Sequence, residues 1–203
     1  MTAALKRALP GVPIVGSAFL IGSVAPDIPL YLLSLGGILY FHYGLGWSGA
    51  ETADHMYGTL FFEDPGWIAF HSVFHSFVVI LAGIVLARIV RDRVPRLSAW
   101  VHWFLVACCL HTVIDIFTHG DDGPVFLWPL SQTYRFNSPV SYWDPNFYGR
   151  QFMIFEFFFD AALIAYLTLP WLRRRFGTLP PHDPATDEES PKPIPLPFGR
   201  FRP

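Results

Sequence analysis

The chain has 203 residues, the length of one ordinary domain, but only 15% of them are charged and 52% are hydrophobic. A soluble domain is about one quarter charged, so this chain has too little charge to cover a water-facing surface. Its 20 Phe, 7 Trp and 8 Tyr suit lipid-facing helices and the aromatic belts at membrane boundaries. The net charge of -2 offers no basic surface and excludes nucleic-acid binding. These observations predict an integral membrane protein.

The first apolar stretch runs from Val12 to Phe41 and is interrupted by the sequence PDIP at positions 26–29. Proline removes a backbone donor and restricts the residue before it, so the stretch is either one kinked span or two half-helices. A signal peptide is the competing interpretation, because Lys6 and Arg7 precede an apolar run that ends in SVA. Pro26 directly after that candidate cleavage point argues against processing.

Three further runs have the roughly 20 residues needed to cross the hydrocarbon core: about Trp67 to Val90, about Leu97 to Phe117 and about Gln151 to Leu172. With the broken first stretch counted as one crossing, the sequence predicts an all-α, polytopic transmembrane helical bundle of about four spans. Twelve of the 14 Lys and Arg then fall on one side, which the positive-inside rule identifies as the cytoplasm. We therefore expect a multi-pass protein of the bacterial inner membrane with both termini cytoplasmic. The lipid bilayer is its expected partner, and no protein partner is evident.

The composition changes after Phe176. Residues 177–203 hold 8 of the 19 prolines and show no apolar period, which is typical of a disordered segment. The sequence thus predicts a transmembrane domain over 1–176 and a disordered, Pro-rich cytoplasmic tail over 177–203. Two segments, about His42 to Gly66 and Thr118 to Arg150, are expected to be loops on the outer side.

The second of these loops is predicted to be ordered, because it contains large aromatic residues such as Trp128 and Tyr142. A loop that only connects two spans does not need such residues. Loops carry function more often than their length suggests. Three of its charged residues are therefore candidates for substrate binding, with simple packing of the loop at the interface as the equally weighted alternative. These residues are Asp121, Asp122 and Arg135.

Ionisable side chains inside membrane spans are costly and are candidates for functional sites. His111, Asp115 and His119 follow one another at steps of four, and each step advances about 40° around a helix. All three therefore point to one side. The alternative is interhelical hydrogen bonding that stabilises the bundle. His102 is expected to be a structural histidine and is left out of the site.

The same step of four recurs in two other spans, between His71 and His75 and between Glu156 and Asp160. On the predicted topology these polar stripes meet near the outer interface. Imidazole nitrogens and carboxylate oxygens in one pocket suit Zn²⁺ or a similar divalent ion. Glu156 and Asp160 are interpreted as groups that orient the ligating imidazoles, or as ligands themselves. The candidate metal ligands are Asp27, His71, His75, His111, Asp115 and His119.

Three motifs carry a family resemblance over roughly residues 12 to 170: GSVAPDIPLY, VFHSFVV and HTVIDIFTHGDDGPVFLWPLS. They resemble the bacterial membrane-bound metal-dependent hydrolases of the LexA-regulated inner-membrane type. The run HGDDGPVFLWPLS with the later SPVSYWDP resembles a subgroup of small membrane proteins, some labelled as cobalamin biosynthesis proteins. A more distant similarity is to zinc-dependent phospholipase C. The resemblance implies metal ligands at Asp27, His75, His111 and Asp115, with His119 as an addition.

One departure from the resemblance concerns the N-terminus. The related families usually have a ligand-like His within the first few residues, whereas this chain has no His before His42. Either the true start lies upstream or the site is reduced.

A metal held by imidazoles and carboxylates, with one open position, activates water for hydrolysis. The predicted function is a membrane-embedded, metal-dependent hydrolase that acts on a phosphoester or lipid-type substrate at the outer face. Asp115 and His119 are its candidate catalytic residues. The alternative is a non-catalytic membrane protein with a structural metal or polar cluster.

Overall fold

The computed structural model describes residues 7–9, 11–142 and 144–176. Within these ranges the fold is all-helical, with 69% of the residues in helices and no strand. The chain divides into two compact units, Met1–Leu167 and Thr168–Pro203. Of the second unit the structure describes residues 168–176, which are helical. The predicted disordered tail over 177–203 lies outside the described residues.

The described chain contains a succession of short helices followed by two long ones, the last of which continues into the second unit. In chain order the elements are α1 (Gly16–Gly22), α2 (Ile28–Gly37) with a π-helical continuation (Ile38–Gly44), α3 (Gly49–Ala53), a second π-helical segment (Asp54–Leu60), α4 (Phe61–Glu63), α5 (Pro65–Ser72), α6 (Phe77–Ile89), α7 (Pro95–Thr118), a 3-10 turn (Pro145–Phe147) and α8 (Gly149–Phe176).

Helix α7 is the centre of the fold, because both α1 and α6 pack along it. One apolar cluster joins Ile80 of α6 to Leu105 and Cys108 of α7, and a second joins Phe19 of α1 to Ala107. These contacts hold α1 and α6 in fixed positions against α7. The residues at the C-terminal end of α7 are thereby placed against the chain breaks that follow α1 and precede α6.

Two helices are long and apolar enough to cross a membrane: Pro95–Thr118, and Gly149–Leu169 within α8. The pair α5 and α6, bent by 44°, would be a third if it forms one broken span. The break expected at Pro26-Asp27 is present, because α1 ends at Gly22 and α2 begins at Ile28. The fourth crossing stays a prediction.

The second span contains a break that the sequence did not predict. Helix α5 ends at Ser72, and α6 begins only at Phe77. Ser76 caps α6 by accepting a hydrogen bond from the Val79 N–H at 3.2 Å, and its own hydroxyl donates to the Trp128 carbonyl oxygen. The Phe77 N–H donates to the carbonyl oxygen of Phe126 at 2.9 Å. The loop between α7 and α8 therefore accepts hydrogen bonds from the Ser76 hydroxyl and the Phe77 N–H, two donors that the break exposes.

The segment from about His42 to Gly66, expected to be a loop, is largely helical instead. Its first helix begins with a capping box, in which the Ser48 hydroxyl accepts from the Glu51 N–H and the Glu51 carboxylate accepts from the Ser48 N–H. This Ser-x-x-Glu pattern is visible in the sequence and predicts a helix start. Together with α2 and its π-helical continuation, the segment forms a hairpin of helices.

Candidate metal centre

Four side chains from three separate parts of the chain meet at one point. Asp27 comes from the break between α1 and α2, His75 from the break between α5 and α6, and His111 and Asp115 from α7. Each offers one ligand atom, and these four atoms all lie within 4.8 Å of one another. We call this group the Asp/His cluster. It contains four of the six residues that the sequence nominated as metal ligands.

The backbone of each element explains how its residue reaches the cluster. Asp27 lies in a turn that the preceding proline favours, and its N–H donates to the Val24 carbonyl oxygen at 3.1 Å. His75 lies in the helix break just described. His111 and Asp115 are one turn apart on α7 and therefore share a face. Both chain breaks thus bring a polar residue to the same end of the central helix.

The imidazole of His75 is held in one tautomer by the backbone. Its Nδ1 lies 2.9 Å from the carbonyl oxygen of His71, and because a carbonyl only accepts, Nδ1 carries the proton and donates. The Nε2 atom of the neutral ring then has a lone pair. It faces Oδ2 of Asp115 at 3.2 Å, which is also an acceptor. Because only 1% of this side chain is exposed, solvent does not separate the two atoms.

His111 repeats the arrangement from the opposite side. Its Nδ1–H donates to the carbonyl oxygen of Ser23 at 3.0 Å. Its Nε2 lies 2.9 Å from Oδ2 of Asp115 and 3.4 Å from Oδ1 of Asp27. Nevertheless this buried Nε2 has no partner in hydrogen-bonding geometry among the described residues.

With both rings neutral, the cluster therefore presents two imidazole lone pairs and two carboxylates, all of them acceptors, to a common centre. Such a set lacks a donor or a cation between its members. A divalent ion supplies what is missing, and the orphaned Nε2 of His111 is the observation that fits it most directly. Ligating imidazoles are typically fixed in this way, with the other ring nitrogen donating to a carbonyl oxygen. The donor set of two nitrogens and two oxygens suits zinc and several other divalent metals.

A cavity of about 590 Å³ adjoins the cluster. Asp27 is 42% exposed, so the cluster is open on this side. Burial and the nearby carboxylates of Asp115 and Asp27 raise the pKa of Tyr142, so its hydroxyl is protonated at neutral pH. The lining residues are Asp27, Leu30, Tyr31, Ser34, Tyr57, Phe61, Phe62, His71, His75, Asp115, His119, Asp122, Pro124 and Tyr142.

The two remaining candidate ligands, His71 and His119, line the cavity beside the cluster. The buried His71 ring lies 4.6 Å from that of His75, measured between centroids, and its backbone carbonyl orients that residue. The Nδ1–H of His119 donates to the Asp115 carbonyl oxygen at 3.1 Å. The His119 ring packs in a T-shaped arrangement against the Tyr142 ring, with the two ring centroids 4.8 Å apart. Both imidazoles are therefore near the centre without being members of the four-residue group.

Arg135, expected to bind substrate, has its guanidinium engaged elsewhere. It donates to the Gly123 carbonyl oxygen and, at 2.9 Å, to that of Phe61, and it lies over the Phe61 ring. Burial lowers its pKa to about 10, so it keeps its charge at neutral pH. It is absent from the cavity-lining residues of the described chain. Of the other two candidates, Asp122 lines the cavity and Asp121 is exposed.

Glu156 and Asp160 are not brought to the cluster. Both side chains are exposed on α8, and neither lines the cavity. The step of four puts them on a common face, as expected, but that spacing does not say which face meets the bundle. The surrounding sequence FEFFFDAA is apolar on every side and offers no contrast that would decide it.

Several residues that shape the site are not evident from the sequence. The Ser23 carbonyl oxygen orients His111, and no side-chain pattern could reveal this. The Tyr57 hydroxyl donates to the Ser34 hydroxyl at 2.8 Å and joins two walls of the cavity. The capping box at Ser48 was the one available indication that the segment containing Tyr57 is helical.

Comparison with known proteins agrees with a membrane location. A search of curated proteins finds no match, and a search of solved structures finds none either. The family model described as YdjM inner membrane protein matches residues 1–176, which include every residue of the Asp/His cluster and every helix described above. The chain therefore belongs to the YdjM inner membrane protein family.

Proposed function

We propose that this protein is a membrane-embedded hydrolase that uses one divalent metal, zinc or an ion of similar ligand preference. The ion would be held by Nε2 of His75, Nε2 of His111 and the carboxylates of Asp27 and Asp115. The observation that carries the proposal is that a backbone carbonyl oxygen orients each of the two imidazoles. Each imidazole donates its Nδ1–H to a carbonyl oxygen and turns its lone pair toward the carboxylates.

The adjoining cavity favours catalysis over a purely structural metal. A structural zinc site is closed, with four protein ligands and no access, whereas a catalytic site keeps a position for water or substrate. Here a cavity of about 590 Å³ reaches two of the cluster's carboxylates and one of its imidazoles. The Asp27 side chain is 42% exposed, so its carboxylate is the ligand that substrate would displace from the metal.

When bound, the metal would lower the pKa of a water and polarise the oxygen of the scissile group. His119 is the residue we assign to proton transfer. Its Nδ1 donates to the Asp115 carbonyl oxygen, so its Nε2 has the lone pair that accepts a proton from the attacking water. Tyr142 lies against His119 and keeps its phenolic proton.

The membrane placement in this proposal has four crossings, with α1 and α2 together as the first. The twelve cations on one side then mark the cytoplasm, and both termini lie there. The Asp/His cluster stands at the opposite end of α7 from Arg96. The site thus faces the outer side of the inner membrane and takes a phosphoester or lipid-type substrate from the bilayer or its surface.

The test is hydrolysis by the detergent-purified full chain. We expect the zinc-loaded protein to cleave 4-nitrophenyl esters, the chelator-treated protein to be inactive, and added zinc to restore activity. Asp115→Asn should abolish the reaction. His102→Gln is the matched control, because His102 is on the same helix but outside the cluster. Zinc-independent hydrolysis, or full activity of Asp115→Asn, would overturn the proposal.

A further inference from the structure

The charges around the cavity distinguish between the two substrate types that the proposed function leaves open. Four carboxylates lie in or beside the cavity and the cluster: Asp27, Asp115, Asp121 and Asp122. No Lys or Arg is found among the cavity-lining residues of the described chain. The nearby Arg135 interacts with Asp121 and Asp122, but its guanidinium donates to two backbone carbonyls.

The balance of these charges is negative even with a metal in place. The three carboxylates that line the cavity, against one divalent ion, leave a single negative charge, with the imidazoles neutral as ligands. Outside the lining, the charge of Asp121 and the charge of the Arg135 guanidinium offset each other. Sites that bind phosphate groups instead gather Arg or Lys side chains, or aim helix N-termini at the anion. A dianionic phosphomonoester would enter a cavity that repels it.

Most of the remaining lining is aromatic or apolar, and its other polar members are Ser34 and three histidines. Tyr31 and Tyr57 stand on the two arms of the helical hairpin, and Phe61, Phe62 and Leu30 complete these walls. Tyr31 is 69% exposed and Tyr57 is 44% exposed, so the aromatic wall continues from the cavity to the outside of the protein. Such a surface solvates an aliphatic or aromatic group and not an ionic one.

We infer that the substrate is an uncharged carboxylic ester with an apolar chain. The inference rests on the proposed function and narrows it. In this reaction the water oxygen bonds to the ester carbonyl carbon, and the bond from that carbon to the alkoxy oxygen breaks. One water proton passes to His119 and then to the leaving alkoxide. The other is released when the carboxylic acid ionises.

The test measures binding as well as turnover. The full chain is loaded with Co²⁺, whose visible absorption reports its ligands, and is titrated at pH 8 with an uncharged probe and an anionic one. These are 1,1,1-trifluorodecan-2-one and octylphosphonate. We expect the ketone to bind at least about tenfold more tightly, because one net negative charge opposes the phosphonate at close range. Likewise, 4-nitrophenyl octanoate should be cleaved and 4-nitrophenyl phosphate should not.

A matched pair of variants tests the cause. Asp122→Asn removes a charge that lines the cavity and should tighten octylphosphonate binding about fivefold relative to ketone binding in the same variant. Asp121→Asn removes the exposed neighbouring charge, which solvent screens, and should have a smaller effect. Tighter binding of the phosphonate than of the ketone to wild type, or equal effects of the two variants, would overturn the inference. Failure to bind Co²⁺ would overturn the proposed function as well.

Discussion

The Nε2 atom of His111 lies 2.9 Å from Oδ2 of Asp115, one turn further along the same helix, and the angle between them is not that of a hydrogen bond. The other ring nitrogen of His111 already donates to the Ser23 carbonyl oxygen. A lone pair and a carboxylate at this distance repel each other unless a cation stands near both. This relationship is the reason for regarding the cluster as a metal site and not as bundle-stabilising hydrogen bonding.

His111→Asn separates the two roles of this imidazole. The Asn amide reaches the position of Nδ1 and can still donate to the Ser23 carbonyl oxygen, but it has no atom at the position of Nε2. We expect metal affinity to fall at least about 100-fold. Losing only a group that orients a metal ligand already weakens metal binding by up to about 100-fold, and this variant loses the ligand itself. Thermal unfolding of the chelated protein should change little. Retention of a full metal equivalent by the variant would contradict this assignment.

Gly22→Ala probes the packing that positions Ser23 and Asp27. A Cβ at Gly22 would collide with the Phe104 carbonyl oxygen and lie 2.9 Å from the Ala107 Cβ, so α1 would have to move away from α7. We expect a loss of about 1–3 kcal/mol in the free energy of unfolding, together with weaker metal binding. Thermal unfolding in detergent measures the first effect, and metal titration measures the second.

Gly36→Ala is the control for that experiment. Its Cβ would meet nothing within 4 Å, and the residue lies in the α2 helix. Alanine favours a helix over glycine by up to about 1 kcal/mol, so this variant should be as stable as wild type or more so. Equal destabilisation by both substitutions would show that the contact between α1 and α7 is not tight.

Ser76→Ala tests the connection between the helix break and the loop between α7 and α8. The buried hydroxyl caps α6 and also donates to the Trp128 carbonyl oxygen. Loss of a helix cap costs about 1 kcal/mol, and the freed loop carbonyl should speed amide exchange around residues 124–130. Ser131→Ala removes only side-chain bonds to the N–H groups of Thr133 and Tyr134, so it should not speed amide exchange around residues 124–130. Unchanged exchange in Ser76→Ala would refute the connection.

Glu156 and Asp160 provide a test of whether carboxylates on α8 support the metal. Both are exposed on α8 and outside the cavity. The double variant Glu156→Gln, Asp160→Asn should therefore bind metal with the affinity of wild type, within about twofold. A tenfold loss of affinity would mean that these carboxylates support the metal after all.

The sequence predicted those features that depend on local chemistry. Proline at position 26 predicted the first break, because it cannot continue a helix. The steps of four placed His111 and Asp115 on one face, because helical geometry fixes that relation. The long apolar runs predicted α7 and α8 with errors of two residues at the start of each.

Features that depend on contacts between distant parts of the chain could not be predicted from the sequence. No proline or glycine marks the break before Ser76, whose exposed groups are satisfied by loop carbonyls about fifty residues away. Arg135 looked like a free cation because its partners are backbone oxygens, which any residue provides. For Glu156 and Asp160 the sequence predicted that both lie on one helix face, but it did not predict whether that face contacts the bundle.

The most direct test of the account is zinc X-ray absorption on the detergent-purified full chain, combined with a count of zinc per chain. We predict one zinc per chain, bound by two imidazole nitrogens at about 2.0–2.1 Å and by carboxylate oxygens at about 2.0–2.2 Å. Replacing Asp115 by Asn should remove the ion, and replacing His102 by Gln should not. Absence of stoichiometric zinc, or a zinc shell without imidazole, would contradict the assignment of the Asp/His cluster as a metal centre.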